Sequence, residues 1–270
     1  MMAMFLSNGS QSGNRIMPVQ VMSPTEEAKL IEVFSSIQGE GLWVGCRQIF
    51  VRFSDCNLAC HYCDTPHQPQ PNCRIEDAPG SGQFRSLPNP VSLEILHGIL
   101  SHWHRNVPGM HHSLSLTGGE PLAQIDALQF WLPQLRELLP VYLETNGTLP
   151  VALEKIIGHV DYVSMDFKLE SVSGEETPWD AHRDFLRIST AVEGFVKVVV
   201  SEQTPVDEIL RAAELVHDVA PQMPLVIQPL TEQGRCAVRG TVLLQLQQEV
   251  SRIHSAVRVI PQTHRFIDVV

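Results

Sequence analysis

From residue 112 onward the chain alternates between short β-branched or apolar runs and longer stretches with apolar residues at helical spacing. The runs are "SLSLT" (113–117), "VYLET" (141–145), "DYVSMDF" (161–167), "FVKVVV" (195–200), "PLVIQ" (224–228) and "AVRVI" (256–260). Between them, "IDALQFWLPQLRELL", "PVDEILRAAELVHDV" and "GTVLLQLQQEVSRIH" carry the helical period. Two further strands are expected at "KLIEVF" (29–34) and "RQIFVRF" (47–53), and a helix at 92–105. A helical crossover returns the chain to the same end of the sheet. Repeated β–α units therefore predict an α/β fold with a parallel sheet, open or curled into part of a barrel. In such folds the chemistry lies at the carboxyl ends of the strands. The polar motifs fall there: "TGGEP" after 113–117, "ETNGT" closing 141–145, "MDFK" closing 161–167 and "QP" closing 224–228.

The chain has 270 residues, 43% of them hydrophobic, enough for one sizeable domain. Thirty acidic against nineteen basic residues leave a formal charge of -11, which disfavours nucleic acid or an anionic membrane as the main partner. No apolar run approaches the length of a membrane span. Residues 1–26 read as a mobile arm without signal-peptide character, and 27–270 as a single domain. Residues 66–90 are rich in Pro, Gly and Ser and read as an irregular loop insertion, a lid. Six cysteines are too few for a disulfide framework, and three lie within "CNLACHYC". That clustering favours a metal or redox site in a reducing, cytoplasmic compartment.

Cys56, Cys60 and Cys63 form C-x3-C-x2-C. A structural zinc site closes with four ligands, and His61 would be crowded by its neighbours as the fourth. A cubane iron–sulfur cluster has four irons, each needing one outer ligand. Three thiolates on one loop hold three irons and leave the fourth open to a small molecule. Zinc with a remote ligand, or three ordinary thiols, remain the alternatives from spacing alone. "TGGEP" by itself is also common strand-to-helix turn chemistry.

Taken together, "CNLACHYC" and "LTGGEP" (116–121) resemble the cluster and S-adenosylmethionine (SAM) motifs of the radical SAM superfamily. "SIQGEG" (36–41), "VRF" (51–53), "CDT" (63–65) and "PQTHRF" (261–266) narrow the resemblance to the 7-carboxy-7-deazaguanine synthases. It spans roughly residues 29 to 270, with Arg265 where that family's ending has Lys. The resemblance implies a partial (β/α) barrel, a [4Fe-4S] cluster on Cys56, Cys60 and Cys63, SAM, and Mg2+ on Thr65. It implies conversion of 6-carboxy-5,6,7,8-tetrahydropterin to 7-carboxy-7-deazaguanine by radical ring contraction with release of ammonia, in queuosine and 7-deazapurine biosynthesis. By the same resemblance the substrate site comprises Ile37, Gln38, Gly39, Glu40, Arg52, Thr117 and His264. Arg52 would grip the substrate carboxylate, for which a guanidinium fork is suited. SAM would meet Tyr62, Cys63, Asp64, Gly119, Glu120, Ser164, Asp166, Lys168 and Gln228. Family members often carry Ser-Pro-Lys where this chain has "SMDFK", so the contacts at 164–168 depart from the pattern. A flavodoxin or ferredoxin as electron donor and a homodimer are also implied.

Two rivals stand beside this reading. A glycyl-radical enzyme activase shares the cysteine spacing, a GGE-like turn and a D-x-K segment, but acts on a protein. A non-catalytic iron–sulfur or zinc protein would need a fourth protein ligand and no SAM site. The blander readings are a surface ion pair for Asp166 and Lys168, a solvated face for His102, His104, His111 and His112, and plain thiols for Cys46, Cys73 and Cys236.

Overall fold

A computed structural model of the chain describes residues 26–63, 65, 70–267 and 269. The arm reading thus lies outside the described residues except at Glu26, whose carbonyl accepts from Leu93 N and Trp131 Nε1, each at 3.0 Å. In chain order the strands are β1 (Glu27–Ala28), β2 (Leu30–Ile37), β3 (Arg47–Phe53), β4 (Asn72–Glu76), β5 (Phe84–Pro88), β6 (Val91–Ser92), β7 (Ser113–Gly118), β8 (Val141–Thr145), β9 (Tyr162–Phe167), β10 (Glu193–Val200), β11 (Leu225–Pro229), β12 (Thr231–Glu232), β13 (Arg235–Cys236) and β14 (Val257–Val259). The helices are α1 (Leu93–Asn106), α2 (Ile125–Leu135), α3 (Pro150–Ile156), α4 (Glu170–Ser173), α5 (Trp179–Ser189), α6 (Val206–Val219) and α7 (Gly240–Ser251).

Ten strands form one sheet in the order β14-β11-β10-β9-β8-β7-β3-β2-β4-β5. From β3 to β14 every pairing is parallel. The sheet is nevertheless mixed: β2 runs antiparallel to β3, and β5 antiparallel to β4. Its two edges do not meet, so it is an unclosed, partial barrel. Helices α1, α2, α3, α5, α6 and α7 pack in succession along one face. Ile49, Val51 and Phe53 of β3 are fully buried in the core that those helices cover. The alternate residues, Gln48, Phe50 and Arg52, belong to the concave face, as a period of two requires.

The lower part of that concave face is plugged by aromatics. Trp43 lies 5.4 Å from Tyr142, 4.9 Å from Tyr162 and 5.7 Å from Phe195, ring centre to ring centre. Gly41 makes this possible. Its φ is +64°, and a Cβ there would fall 1.9 Å from the Phe195 ring. The plug closes one end of the half-barrel, so the opening lies at the carboxyl ends of the strands.

Residues 66–90 do not form an irregular lid over their described length. Asn72–Glu76 and Phe84–Pro88 are a β-hairpin that extends the main sheet. Cys73 and Ile75 are fully buried, an alternation concealed in the sequence by the surrounding prolines and glycines. The turn is closed by Glu76, whose carboxylate accepts from Ser35 N, Gly80 N and Gly82 N at 2.9, 3.0 and 2.8 Å. His111 is buried too, contrary to the solvated-face reading, and its Nε2 lies 2.7 Å from Ser35 Oγ.

Candidate active site at the open end of the half-barrel

The loop after β3 carries the three cysteines, and three successive strand-end turns hold it. After β7, Gly119 N donates to Phe53 O and Glu120 N to Asp55 O, at 3.0 and 2.9 Å. A Cβ on Gly119 would fall 2.0 Å from Asp55 O. The second glycine of "TGGEP" therefore lets the turn dock on the root of the cysteine loop. After β8, Asn57 Nδ2 donates to Thr148 Oγ1 at 2.8 Å. After β9, Glu175 Oε1 accepts from Ala59 N at 3.1 Å and Ser173 O from His61 N at 2.9 Å. The His61 ring packs over Gly174.

A cavity of about 500 Å³ opens at the strand ends, within the range of small-molecule sites. It is lined by Cys56, Cys60, Cys63 and Thr65; by Ile37, Gln38, Gly39, Glu40, Arg52, Thr117 and His264; and by Tyr62, Gly119, Ser164, Asp166, Lys168 and Gln228. Of the residues expected from sequence, Asp64 lies outside the described residues, and Glu120 is placed elsewhere. The Glu120 side chain points inward and is fully buried. It accepts from Leu122 N at 3.0 Å, Thr145 Oγ1 at 2.9 Å and Asn146 N at 2.8 Å. Burial pushes it up to about 7 against those three bonds. It ties the turn after β7 to the turn after β8 and presents no carboxylate to the cavity.

The cavity wall is a ladder of alternating charges. Lys168 Nζ donates to Tyr62 OH at 3.1 Å and to Asp166 Oδ2 at 2.7 Å. Lys197 reaches the same Asp166 oxygen at 3.3 Å and donates to the Glu40 carboxylate. Gln262 Nε2 completes the row on Glu40 Oε1 at 2.6 Å. Burial pushes Glu40 up, but Lys197, the Gln262 amide and His264 outweigh it and bring the carboxyl down to about 2. Burial opposes the charged forms of Lys168 and Lys197, yet the neighbouring carboxylates raise both. The surface-pair reading of Asp166 and Lys168 does not hold, since both side chains are largely buried. The C-terminal segment is strapped across this row, with Thr263 N donating to Gly39 O at 2.8 Å.

Arg52 is held by one edge only. Its Nε donates to Glu32 Oε1 at 3.1 Å, and its guanidinium lies 5.9 Å from the Phe34 ring, itself stacked on Phe50 at 5.2 Å. The Arg52 terminal nitrogens have no protein partner among the described residues. Opposite, Glu144 accepts from Gln38 Nε2 at 2.7 Å, Ser115 Oγ at 3.0 Å and Thr117 Oγ1 at 3.0 Å. Burial and the nearby Glu40 push its carboxyl up. Sequence reasoning marked "ETNGT" as a strand-end motif but missed Glu144, Asn146, Lys197 and Gln262 as site residues. The signal for Lys197 was present. A single lysine in "FVKVVV", at the same strand parity as Phe195 and Val199, must face the concave side and find a partner there.

The residues present fit a cluster with SAM. Among the described residues, no three His, Cys, Asp or Glu side chains converge on a single ion. Three thiols on one cavity-lining loop suit a group in which each iron takes its own thiolate. Desolvation in the cavity wall pushes the Cys56 and Cys60 thiols up, so loading such a group releases protons. Asp166 Oδ1 and Gln228 Oε1 are buried in the same wall without a hydrogen-bond partner. Two orphan acceptors call for donors from a ligand, and SAM carries an ammonium and ribose hydroxyls. Thr65 Oγ1 donates to Gly118 O at 3.2 Å, which leaves its lone pairs available to a cation.

Comparison with known proteins agrees. The radical SAM superfamily model matches residues 50–227. The chain is 49% identical to the 7-carboxy-7-deazaguanine synthase of Geobacter sulfurreducens over 89% of this chain and 97% of that one. It is 38% identical to the 7-carboxy-7-deazaguanine synthase of Methanothermobacter thermautotrophicus, over 88% and 96% respectively. Its fold is similar to the crystal structure of QueE from Escherichia coli, with a TM-score of 0.54 and 19% identity, over 88% of this chain and 95% of that one. The three-cysteine loop, the glycine turn docked on its root and these likenesses together show that the chain belongs to the radical SAM superfamily and, within it, to the family of 7-carboxy-7-deazaguanine synthases.

Proposed function

We propose that the chain converts 6-carboxy-5,6,7,8-tetrahydropterin to 7-carboxy-7-deazaguanine with release of ammonia. The observation that carries this reading is one cavity lined by the three cluster thiols, by the free edge of Arg52 and by the "QGEG" turn. When bound, the cluster and SAM supply a radical that takes a hydrogen atom from the substrate. The chain's own residues hold and shield it. The outer nitrogens of Arg52, fixed by Glu32, take the substrate carboxylate. Glu40 and Gln38 set the turn over the ring, and the stacked Phe34 and Phe50 give an apolar wall. Gln233 and Gly234 of the β12–β13 hairpin, with Gln262 and His264 of the C-terminal segment, roof the cavity and limit water. Such a roof suits a small molecule better than a protein substrate. Mg2+ on Thr65, beside the substrate carboxylate, belongs to the same proposal. So do a flavodoxin or ferredoxin donor, a homodimer and a cytoplasmic location, which rest on family membership; no helix among the described residues is long and apolar enough to cross a membrane.

The test is anaerobic reconstitution with iron and sulfide, followed by reductant, SAM and the carboxytetrahydropterin. The expected product is carboxydeazaguanine, formed more slowly without Mg2+. SAM cleavage without that product would sink the substrate assignment, and indifference to Mg2+ would sink the role of Thr65. Arg52→Lys keeps the charge but loses the fork. The KM for the pterin is expected to rise about tenfold, the equivalent of ~1.4 kcal/mol, with kcat little changed. A fall in kcat at constant KM would show that Arg52 does not bind the ground-state carboxylate.

A further inference from the structure

Asn146 is held at every polar atom. Its backbone N donates to Glu120 Oε2 at 2.8 Å. Its carbonyl lies 3.2 Å from His182 Nε2. His182 is stacked on Phe167 at 4.5 Å, and burial drives it down to about 4, so the ring is neutral and gives its one proton to that carbonyl. Asn146 Oδ1 accepts from Thr148 N at 3.1 Å and from Thr148 Oγ1 at 2.6 Å. A backbone N–H is always a donor, so this contact settles which end of the amide is oxygen. The NH2 end therefore faces the cysteine loop. One hydrogen points to Asn57 Oδ1 at 2.9 Å, and the sulfur of Cys56 lies 3.9 Å from the same nitrogen. Gly147, at φ +67°, gives the turn the tightness this aim requires, since a Cβ there would strike Met165.

We infer that Asn146 is a positioning residue whose side-chain amide donates an N–H···S hydrogen bond to the first cluster thiolate, Cys56, and makes the cluster easier to reduce. The inference rests on the cluster assignment above. On Cys56 Sγ a thiolate bound to iron is a better acceptor than the thiol. Reduction adds one negative charge to the cluster and its sulfurs, and a fixed donor favours the more negative form. The donor needs no reorganisation, because both amide ends are already committed. The residue lines the cavity and acts on the cluster through its ligand Cys56.

The experiment is an EPR-monitored potentiometric titration of the reconstituted full chain without SAM. Asn146→Asp has the same shape and keeps the oxygen that Thr148 binds, but replaces the donor with an anion. Asn146→Ala simply removes the donor. Both are expected to shift the one-electron reduction equilibrium at least tenfold toward the oxidised form, a midpoint lower by about 59 mV or more. Thr148→Val keeps the Thr148 N–H, hence the amide's orientation, and is expected to leave the midpoint at the wild-type value. As a measurement independent of variant folding, wild-type protein with side-chain 15N-asparagine should show a 15N coupling to the reduced cluster by ENDOR. Equal midpoints in wild type and Asn146→Asp would overturn the inference while leaving the cluster intact. So would absence of the coupling, or a Thr148→Val shift as large as the Asn146 shifts, which would make the effect general loosening of the loop. Failure of the wild type to load any cluster would overturn the cluster assignment and this inference together.

Discussion

Cys60→Ala is expected to lose the brown cluster absorbance and to bring turnover to background, whereas Cys236→Ala keeps both. Cys60 lines the cavity between two other thiols on a loop anchored by Glu175, Ser173 and the turn after β7. Removing one thiolate leaves an iron without its outer ligand and the loop with two thiols for a group that takes three. Cys236 lies on the short hairpin strand β13, exposed, with its thiol 3.3 Å from Val238 O, and does not line the cavity. The check is anaerobic reconstitution with iron counting and absorbance for each variant, alongside thermal unfolding of the apo form. The apo proteins should unfold alike, because the Cys60 side chain is only half-buried and supports no core contact. Retention of a full cluster in Cys60→Ala would show that the loop is not its anchor.

Lys197→Met is expected to be the most destabilising single change in the site. The ammonium stands between Glu40 and Asp166, and its side chain is only 11% exposed. Methionine leaves both carboxylates without it, and breaking a buried pair in this way costs about 3–5 kcal/mol. For a chain of this size that is a fall in Tm of roughly 6–20 °C. The Glu40 carboxyl gives the same scale. It lies near 2 in the folded chain against 4.5 ordinarily. A depressed carboxyl contributes stability above its unfolded value and loses it as pH falls through the folded one. The contribution, roughly 3 kcal/mol, is therefore complete above about pH 5 and fades toward pH 2. The two figures describe one interaction and do not add. In Lys197→Met the acid limb of the stability profile should flatten over that window. The double variant Glu40→Gln with Lys197→Met should recover much of the loss, since Asp166 keeps Lys168. Thermal denaturation across pH tests this; an unchanged acid limb would show that Lys197 does not hold Glu40 ionised.

The β–α rhythm, the strand positions and the cysteine spacing could be read directly because each is a local pattern. Alternation in "RQIFVRF" follows from the pleat, and its strand is Arg47–Phe53 as expected. Helix α5 was not anticipated because its segment is rich in charge. Its His182, Phe185, Leu186 and Ser189 are nonetheless buried on one face, at intervals that a helix imposes. The hairpin at 72–88 was hidden in the same way. Its strands are short, and the carboxylate that closes its turn, Glu76, draws one of its three donors from β2, far away in the chain.

The site divides along the same line. The sequence by itself determined which residue types gather at the strand ends: three thiols with a ligand deficit, a glycine turn, an arginine on the concave side of β3. Only the tertiary structure decided what each of them faces. Glu120 turns inward because three donors from the β7 and β8 turns meet it there, out of contact with the cavity. Lys197 becomes the link between the "QGEG" turn and β9 because parallel register sets it beside Asp166. Asn146 reaches Cys56 because "TNG" and the cysteine loop, ninety residues apart in sequence, end on neighbouring turns. Spacing along a chain fixes residue chemistry and local direction. Partners across a sheet depend on register and on which turns share a rim, and those are settled only when the whole sheet forms.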